Sequence, residues 1–293
     1  MGRVAVVLGD PIGLETDFPS IIESFKDVCT QNDWMPCFYQ TQPDTLELYK
    51  RLGFEAVSIG NEGIVNLETF NLEGKAGKPM RTPVNRLTKL GHRFTVYQPP
   101  IGDKLLGELR CISDEWLTTM RGSEKRFSLG WFDDEYIRNS PIGVIANAEG
   151  WMTAFVNFVP EYQLNEISVD LMRKRREIEN GTMEFLFVSM FQWAKAQGYQ
   201  RFNLGLSALS GVGDNPEDPA IERVMHFVYE NVNQFYNFKG LHEFKEKFHP
   251  EWSPRYLIYP GAANLAPCWL AVVQANSGNR NLLGQLLKAQ STD

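Results

Sequence analysis

Hydrophobic and polar positions along the chain fall into blocks that switch between a strand-like and a helical period. Residues 3–8 form a mostly apolar run. Phe18, Ile21, Ile22, Phe25 and Val28 then recur at helical spacing behind Asp17, an N-cap candidate, and residues 34–40 return to a strand pattern. The next blocks predict a helix over 44–52 stopped by Gly53, then strands over 54–59 and 64–67 turning at Gly60-Asn61-Glu62-Gly63. Pro83 and Gly91 bracket a further helix, in the usual order of proline inside the start and glycine at the end. Beyond it the pattern predicts a helix over 105–120, a hairpin of 142–146 and 151–159 turning at Glu149-Gly150, and a strand over 166–172. A long helix over 182–197 ends at Gly198, followed by a strand over 201–204, a helix over 219–233, a strand over 254–259 and a helix over 262–275. Residues 3–59 and 166–259 thus share one order of strand, helix, strand, helix, strand. Such alternation argues for an α/β class with mixed β-sheets. The expected division is two units, 1–115 and 116–293, with the boundary inside the 100–130 region.

Composition narrows the class. The chain has 293 residues, of which 43% are hydrophobic and 22% charged, values of a globular protein with room for two domains of ordinary size. Its apolar runs all fall short of the roughly 18 residues a membrane span needs, so the chain itself is expected to be soluble. The four cysteines form no CxxC pair and the four histidines have no ligand spacing; no metal, disulfide framework or cofactor is expected, and a reducing setting is. The net charge of −7 argues against indiscriminate nucleic-acid binding. Locally the balance reverses. Lys75, Lys78, Arg81, Arg86, Lys89 and Arg93 are six cations in a stretch with no acid, and Arg173, Lys174, Arg175 and Arg176 follow Asp170. In a helix Lys78, Arg81, Asn85, Lys89 and His92 share one face, a directional stripe suited to a polyanion, although a solvated charged face explains the same residues.

Motifs exclude several chemistries. Tyr49-Lys50-Arg51-Leu52-Gly53-Phe54 resembles the helix-end signature of the GNAT (acetyltransferase-like) fold. A coenzyme A-dependent enzyme of that fold needs a glycine-rich turn whose backbone N–H groups meet a diphosphate at a helix N-terminus. Arg175-Arg176-Glu177-Ile178-Glu179-Asn180-Gly181-Thr182 offers one glycine and two repelling glutamates, and Gly9-Asp10-Pro11-Ile12-Gly13 offers an acid and a proline without an N–H. The acyl group must then come from another donor, and a coenzyme A-dependent acetyltransferase ranks last. Gly205-Leu206-Ser207-Ala208-Leu209 lacks the second glycine of a serine-hydrolase elbow, and His242 and His249 lack zinc spacing.

Several ordered motifs carry a resemblance. Ser168-Val169-Asp170-Leu171-Met172-Arg173, Arg201-Phe202-Asn203-Leu204-Gly205 continuing to Leu209-Ser210-Gly211, and Phe235-Tyr236-Asn237-Phe238-Lys239-Gly240-Leu241 lead it. Phe244-Lys245-Glu246-Lys247-Phe248 with Pro250, Trp252 and Pro254-Arg255-Tyr256-Leu257, and Glu124-Lys125-Arg126-Phe127-Ser128-Leu129-Gly130, complete it. Together they resemble the C-terminal catalytic domain of the phosphatidylglycerol lysyltransferase (multiple peptide resistance factor) family. The likeness covers nearly the whole chain and is strongest from 124 to 258. It implies a tandem GNAT-like fold that moves an aminoacyl group, lysyl first among candidates, from aminoacyl-tRNA to the glycerol hydroxyl of phosphatidylglycerol, changing membrane surface charge. It also implies an N-terminal membrane region in a full-length form and work at the cytoplasmic face of the membrane.

The resemblance maps the family's aspartate and arginine onto Asp170 and Arg173. Asp170 could accept the α-ammonium of the aminoacyl group or the proton of the attacking hydroxyl, and Arg173 could hold a phosphate. Without the resemblance, the two read first as an ion pair closing a strand end. Lys245, Lys247 and Arg255 are candidates for oxyanion or phosphate binding; Phe244 and Phe248 packed inward with solvated lysines is the alternative. Tyr236 and Asn237 could orient the ester, Ser210 joins the substrate-binding set through its motif, and Trp252 reads as core. RNA binding falls to Lys78, Arg81, Arg86, Lys89, Lys174, Arg175 and Arg176, and the lysine pocket to Asp214, Glu217 or Asp218. A peptidoglycan precursor as acceptor, or a non-catalytic tRNA- or lipid-binding module, are the rival readings.

Overall fold

A computed structural model describes residues 3–119, 124, 126–161, 164–208, 210 and 238–277. The strands are β1 (Val4–Leu8), β2 (Met35–Thr41), β3 (Glu55–Asn66), β4 (Arg93–Tyr97), β5 (Ile142–Ala146), β6 (Met152–Glu161), β7 (Glu166–Lys174), β8 (Arg201–Ala208) and β9 (Glu251–Tyr259). The helices are α1 (Phe18–Gln31), α2 (Leu46–Arg51), α3 (Lys78–Lys89), α4 (Asp103–Thr119), α5 (Asp134–Arg138), α6 (Thr182–Ala196), α7 (Phe238–Glu246) and α8 (Leu265–Ser277). The α/β class and mixed strand directions expected from the sequence are both present. The two stretches of chain form one sheet, in the order β1-β2-β9-β3-β8-β7-β6-β5-β4. β9 enters between β2 and β3, antiparallel to both, so the late chain completes the sheet begun by the early chain.

Helices cover both faces. α6 is apolar nearly all round and buries Phe185, Leu186, Phe187, Val188, Met190, Phe191 and Ala194 against the middle of the sheet. α4 and α5 cover the other face through Leu106, Leu109, Ile112 and Ile137, which meet Phe155 and Leu171. The predicted turn at Gly60–Gly63 does not exist. β3 runs unbroken through it: beside Gly60 it carries one extra residue against β9, whereas beside Gly63 the extra residue belongs to β8. β4 and α5 are elements the sequence reading did not predict, and the helix expected over 219–233 lies outside the described residues.

Two irregularities shape the middle of the sheet. β7 and β8 are parallel but pair only over Glu166–Ser168 and Arg201–Asn203, after which they part. β7 also carries one extra residue against β6: Met172 faces Val156 while Val169 faces Phe158. The buried Asn157 side chain accepts the Leu171 N–H at 2.7 Å and so satisfies the backbone donor at the bulge.

The start of α6 is closed by α3. Gly181, at φ +85°, lies so near Pro83 that an added Cβ would stand 2.4 Å from the proline Cβ. Gly198, at φ +89° beyond the other end of the same helix, has open space around it. Gly198→Ala should therefore cost about 1–2 kcal/mol of left-handed strain alone, and Gly181→Ala measurably more. Urea unfolding of both variants checks this, and equal losses would mean that the α3–α6 contact is soft.

Candidate functional site

The extra residue in β7 decides where its polar side chains go. Residues three apart on a regular strand lie on opposite faces. Here Val169 and Met172 pack with α6, while Asp170, Leu171 and Arg173 face α4 and α5. Asp170 and Arg173 thus come to one side of the sheet, but not as the ion pair with each other that the sequence also allowed. Asp170 accepts the Gly130 N–H at 2.8 Å and the Tyr136 hydroxyl at 2.7 Å. Burial and the Asp170 carboxylate both push the Tyr136 phenol above its ordinary value, so it stays a donor. Gly130 has no room for a side chain: an added Cβ would stand 2.2 Å from Asp170 Oδ2.

Arg173 is only 4% exposed. It forms an ion pair with Glu124 and lays its guanidinium 4.0 Å above the Trp116 ring. Burial pushes the guanidinium below its ordinary value, and Glu124 and then Asp170 oppose that shift. Among the described residues its Nε–H is buried without an acceptor, a donor directed at nothing the described chain supplies.

A second group gathers where β8 leaves β7. Gly205, on the β8 side of the bulge that faces β3, and Leu206 both turn carbonyls to Lys245, whose buried ammonium donates to them at 3.0 and 3.1 Å. Ser210 donates its hydroxyl to Ser207 O at 2.8 Å and accepts Asn61 Nδ2 at 2.7 Å on its carbonyl. His242 Nδ1 lies 3.2 Å from Ser207 Oγ and its ring packs on Trp252. Arg255, also buried, pairs with Glu62 across β9 and β3. Lys247 points elsewhere, to Glu184 in the first turn of α6 at 2.8 Å, while Phe244 and Phe248 turn inward as their spacing predicted. Tyr236, Asn237, Asp214, Glu217 and Asp218 lie outside the described residues.

The cationic stretches, almost a hundred residues apart in sequence, meet in space. α3 forms and ends before Gly91 as expected, but it starts at Lys78 and carries Pro83 inside it where the sequence placed Pro83 at the start; Lys78, Asn85, Arg86 and Lys89 are exposed, and His92, assigned to the same stripe, is buried instead because the chain turns at Gly91 into β4. Arg81 is partly spent on the carbonyls of Leu72 and Gly74. Arg86 donates to Asn180 O, which joins α3 to the 175–181 loop. In that loop Arg175 holds Glu115 at 2.8 Å and Met152 O at 2.7 Å, Arg176 is exposed, and Lys174 is half-buried at the end of β7. Two cavities, of about 240 and 350 Å³, lie beside the 66–77 loop, away from Asp170 and Arg173. Among the described residues no cluster of His, Cys, Asp and Glu could hold a metal ion, and no helix is long and apolar enough to cross a membrane.

Sequence reasoning missed Glu124, Gly130 and Tyr136 as partners of the mapped pair. Glu124 and Gly130 stand in one of the quoted motifs, and Asp133, an N-cap that accepts the N–H groups of Glu135 and Tyr136, is the local signal for α5.

Comparison with known proteins adds the following. Residues 1–259 match the family described as phosphatidylglycerol lysyltransferase, C-terminal. A phosphatidylglycerol lysyltransferase of Bacillus subtilis (strain 168) is 42% identical over 259 residues, 88% of this chain, and one of Staphylococcus xylosus is 38% identical over 254 residues, 87% of this chain. The chain spans 30% of the length of each. The solved structure of L-PGS from Bacillus licheniformis is 39% identical, with a TM-score of 0.83 over 94% of this chain and 84% of that one.

The Arg173–Glu124 pair gives a stability test. Glu124→Leu strands a buried guanidinium and should cost about 3–5 kcal/mol in urea unfolding, whereas the double change Glu124→Leu with Arg173→Met should recover most of it. A double variant as unstable as the single one would show that the pair is not the source of the loss.

Proposed function

We propose a reaction for this chain, which belongs to the phosphatidylglycerol lysyltransferase C-terminal family: transfer of a lysyl group from lysyl-tRNA to the glycerol hydroxyl of phosphatidylglycerol. The observation that carries the choice of donor is the closed start of α6. In an acyltransferase that uses a nucleotide thioester, that helix end is the natural seat for the diphosphate. Here Pro83 packs on Gly181, Arg86 takes the Asn180 carbonyl, and Glu184 puts a negative charge in the first turn. The helix that closes this seat is itself cationic and faces outward, which suits an RNA phosphate backbone.

The chemistry exchanges one ester for another. A lipid hydroxyl oxygen bonds to the lysyl carbonyl carbon, the bond from that carbon to the ribose oxygen breaks, and the hydroxyl proton ends on the ribose. Reactant and product bonds are alike, so the barrier lies in positioning, proton transfer and the charge on the carbonyl oxygen. Asp170 is fixed by two donors, and each of its oxygens keeps a lone pair for a third, the arrangement that holds an ammonium group. The Nε–H of Arg173, which has no acceptor among the described residues, suits the developing oxyanion or a phosphate. In this reading Lys245 and Arg255 shape the wall beside the β7–β8 opening, with Ser210 at its margin, while Lys247, held by Glu184, stands apart from it. Tyr236 and Asn237 belong to the same substrate-binding set, and Lys78, Arg81, Arg86, Lys89, Lys174, Arg175 and Arg176 face the RNA. Two GNAT-like units, 1–115 and 116–293, form the scaffold, and the work takes place at the cytoplasmic face of the membrane beside a separate N-terminal domain.

Radiolabelled lysyl-tRNA incubated with the chain and phosphatidylglycerol vesicles should yield labelled lipid. Asp170→Ala and Arg173→Ala should lower transfer by roughly 10²-fold or more, and Gly130→Ala, which displaces the carboxylate, should do so without removing it. Absence of labelled lipid with every aminoacyl-tRNA would refute the assignment. Label moving only to a peptidoglycan precursor would favour that acceptor, and saturable coenzyme A binding would reopen the thioester donor.

A further inference from the structure

Trp151 is the one large aromatic side chain of the β5–β6 turn, and 58% of it is exposed. The turn that carries it is rigid. Gly150 N–H meets Asn147 O at 3.0 Å, Trp151 N–H meets Asn147 Oδ1 at 2.8 Å, and Asn147 N–H meets Trp151 O at 3.0 Å. One face of the indole is covered by the Arg175 guanidinium, 4.3 Å from the ring centre. Arg175 cannot swing away freely, because Glu115 and Met152 O hold it from the other side. The contact with Arg175 uses only one face of the ring, and a planar ring backed by a planar cation is a surface on which another flat group can stack.

Its neighbours are mixed in charge, with Glu149 in the same turn, but cations outnumber acids on the side toward α3 and the end of β7. Ala148 in the same turn touches Gly91 just beyond Lys89, and Arg93 pairs with Ala146 at the start of the turn. Lys174 and Arg176 flank Arg175 itself. Trp151 therefore lies where the α3 stripe meets the end of β7. Arg175 is five residues beyond Asp170, a span of about 17 Å at ~3.3 Å per residue, within reach of the last few nucleotides of an RNA strand whose end lies at Asp170.

We propose that Trp151, backed by Arg175, is a stacking platform for an unpaired nucleobase near the 3′ end of the RNA donor. The inference rests on the RNA-donor reading above and adds to it a residue that grips single-stranded bases, whereas the lysines and arginines grip phosphates of any sequence.

The test uses the full chain and two RNAs without an aminoacyl group: a short hairpin duplex with a single-stranded 3′ end, and the same duplex cut blunt. The wild-type chain should bind both with a steep salt dependence and prefer the one with the free end. Trp151→Ala should lose about 5- to 150-fold on the free-ended RNA, leave the blunt duplex unchanged and keep the salt slope. Trp151→Phe should restore most of the loss. Equal weakening of both RNAs, no effect on either, or a loss of phosphatidylglycerol-vesicle binding in its place would overturn the platform while leaving the donor reading intact. Failure of the wild-type chain to bind either RNA would overturn the donor reading, and the platform with it.

Discussion

One extra residue in β7 sets the polarity of this molecule. Without it, Asp170 and Arg173 would project to opposite faces, one of them into the phenylalanine-rich core around α6. With it, both reach the α4–α5 side, and Val169 and Met172 keep their places against α6. The bulge exposes a backbone N–H that an apolar interior would leave unsatisfied, and Asn157 Oδ1 meets it. Asn157 is therefore a fold residue on which the site depends. Gly130 and Tyr136 then fix the carboxylate, and Trp116 and Glu124 fix the guanidinium, so both groups are held by chain that arrives from outside the strand.

The second constraint is the parting of β7 from β8. A sheet that opens in its middle must satisfy the strand edges it uncovers. Lys245 does this for two adjacent β8 carbonyls from α7 with a buried ammonium. Burying a charge is costly unless it is compensated. The compensation here is spread over carbonyl dipoles for Lys245 and over Glu62 for Arg255, both close to the opening. Glu166, buried at the start of the short stretch where β7 and β8 pair, is pushed above its ordinary value by desolvation, with Asn203 and Arg201 holding it back.

Much of the scaffold was legible because its signals are local. Thr182–Ala196 is apolar on nearly every side and ends at Gly198; the β5–β6 hairpin turns where Glu149-Gly150 stands; Phe244 and Phe248 recur at helical spacing. The Gly60–Gly63 stretch misled because glycine marks turns and bulges alike, and only pairing with β8 and β9 tells them apart. β4 was overlooked although Arg93, Phe94, Thr95, Val96 and Tyr97 alternate cleanly in exposure, since the basic residues before it drew the reading toward a helix. Of the candidate site, the Asp170–Arg173 spacing was visible, but the strand parity that brings the two together depends on Asn157 and could not be read from β7 itself. The same holds for Glu124 and Tyr136, which reach the strand across 49 and 34 residues of sequence.

The covering of α6 ties these features into one argument about the donor. A helix N-terminus offers unsatisfied N–H groups and a partial positive charge, and scaffolds of this kind gain anion binding there when the turn before it is open. This chain fills that place with α3 instead, through contact of Pro83 with Gly181 and the hydrogen bond from Arg86 to Asn180. From that place α3 carries Lys78, Arg86 and Lys89 outward, the face that the proposed function offers to the RNA. A small diphosphate needs a narrow cradle of N–H groups; a long polyanion needs a broad cationic face with purchase for its bases. Under the proposed reaction the packing of α3 on α6 would exchange the first for the second, and the preference for an RNA donor would rest on a helix–helix contact as much as on Asp170 and Arg173.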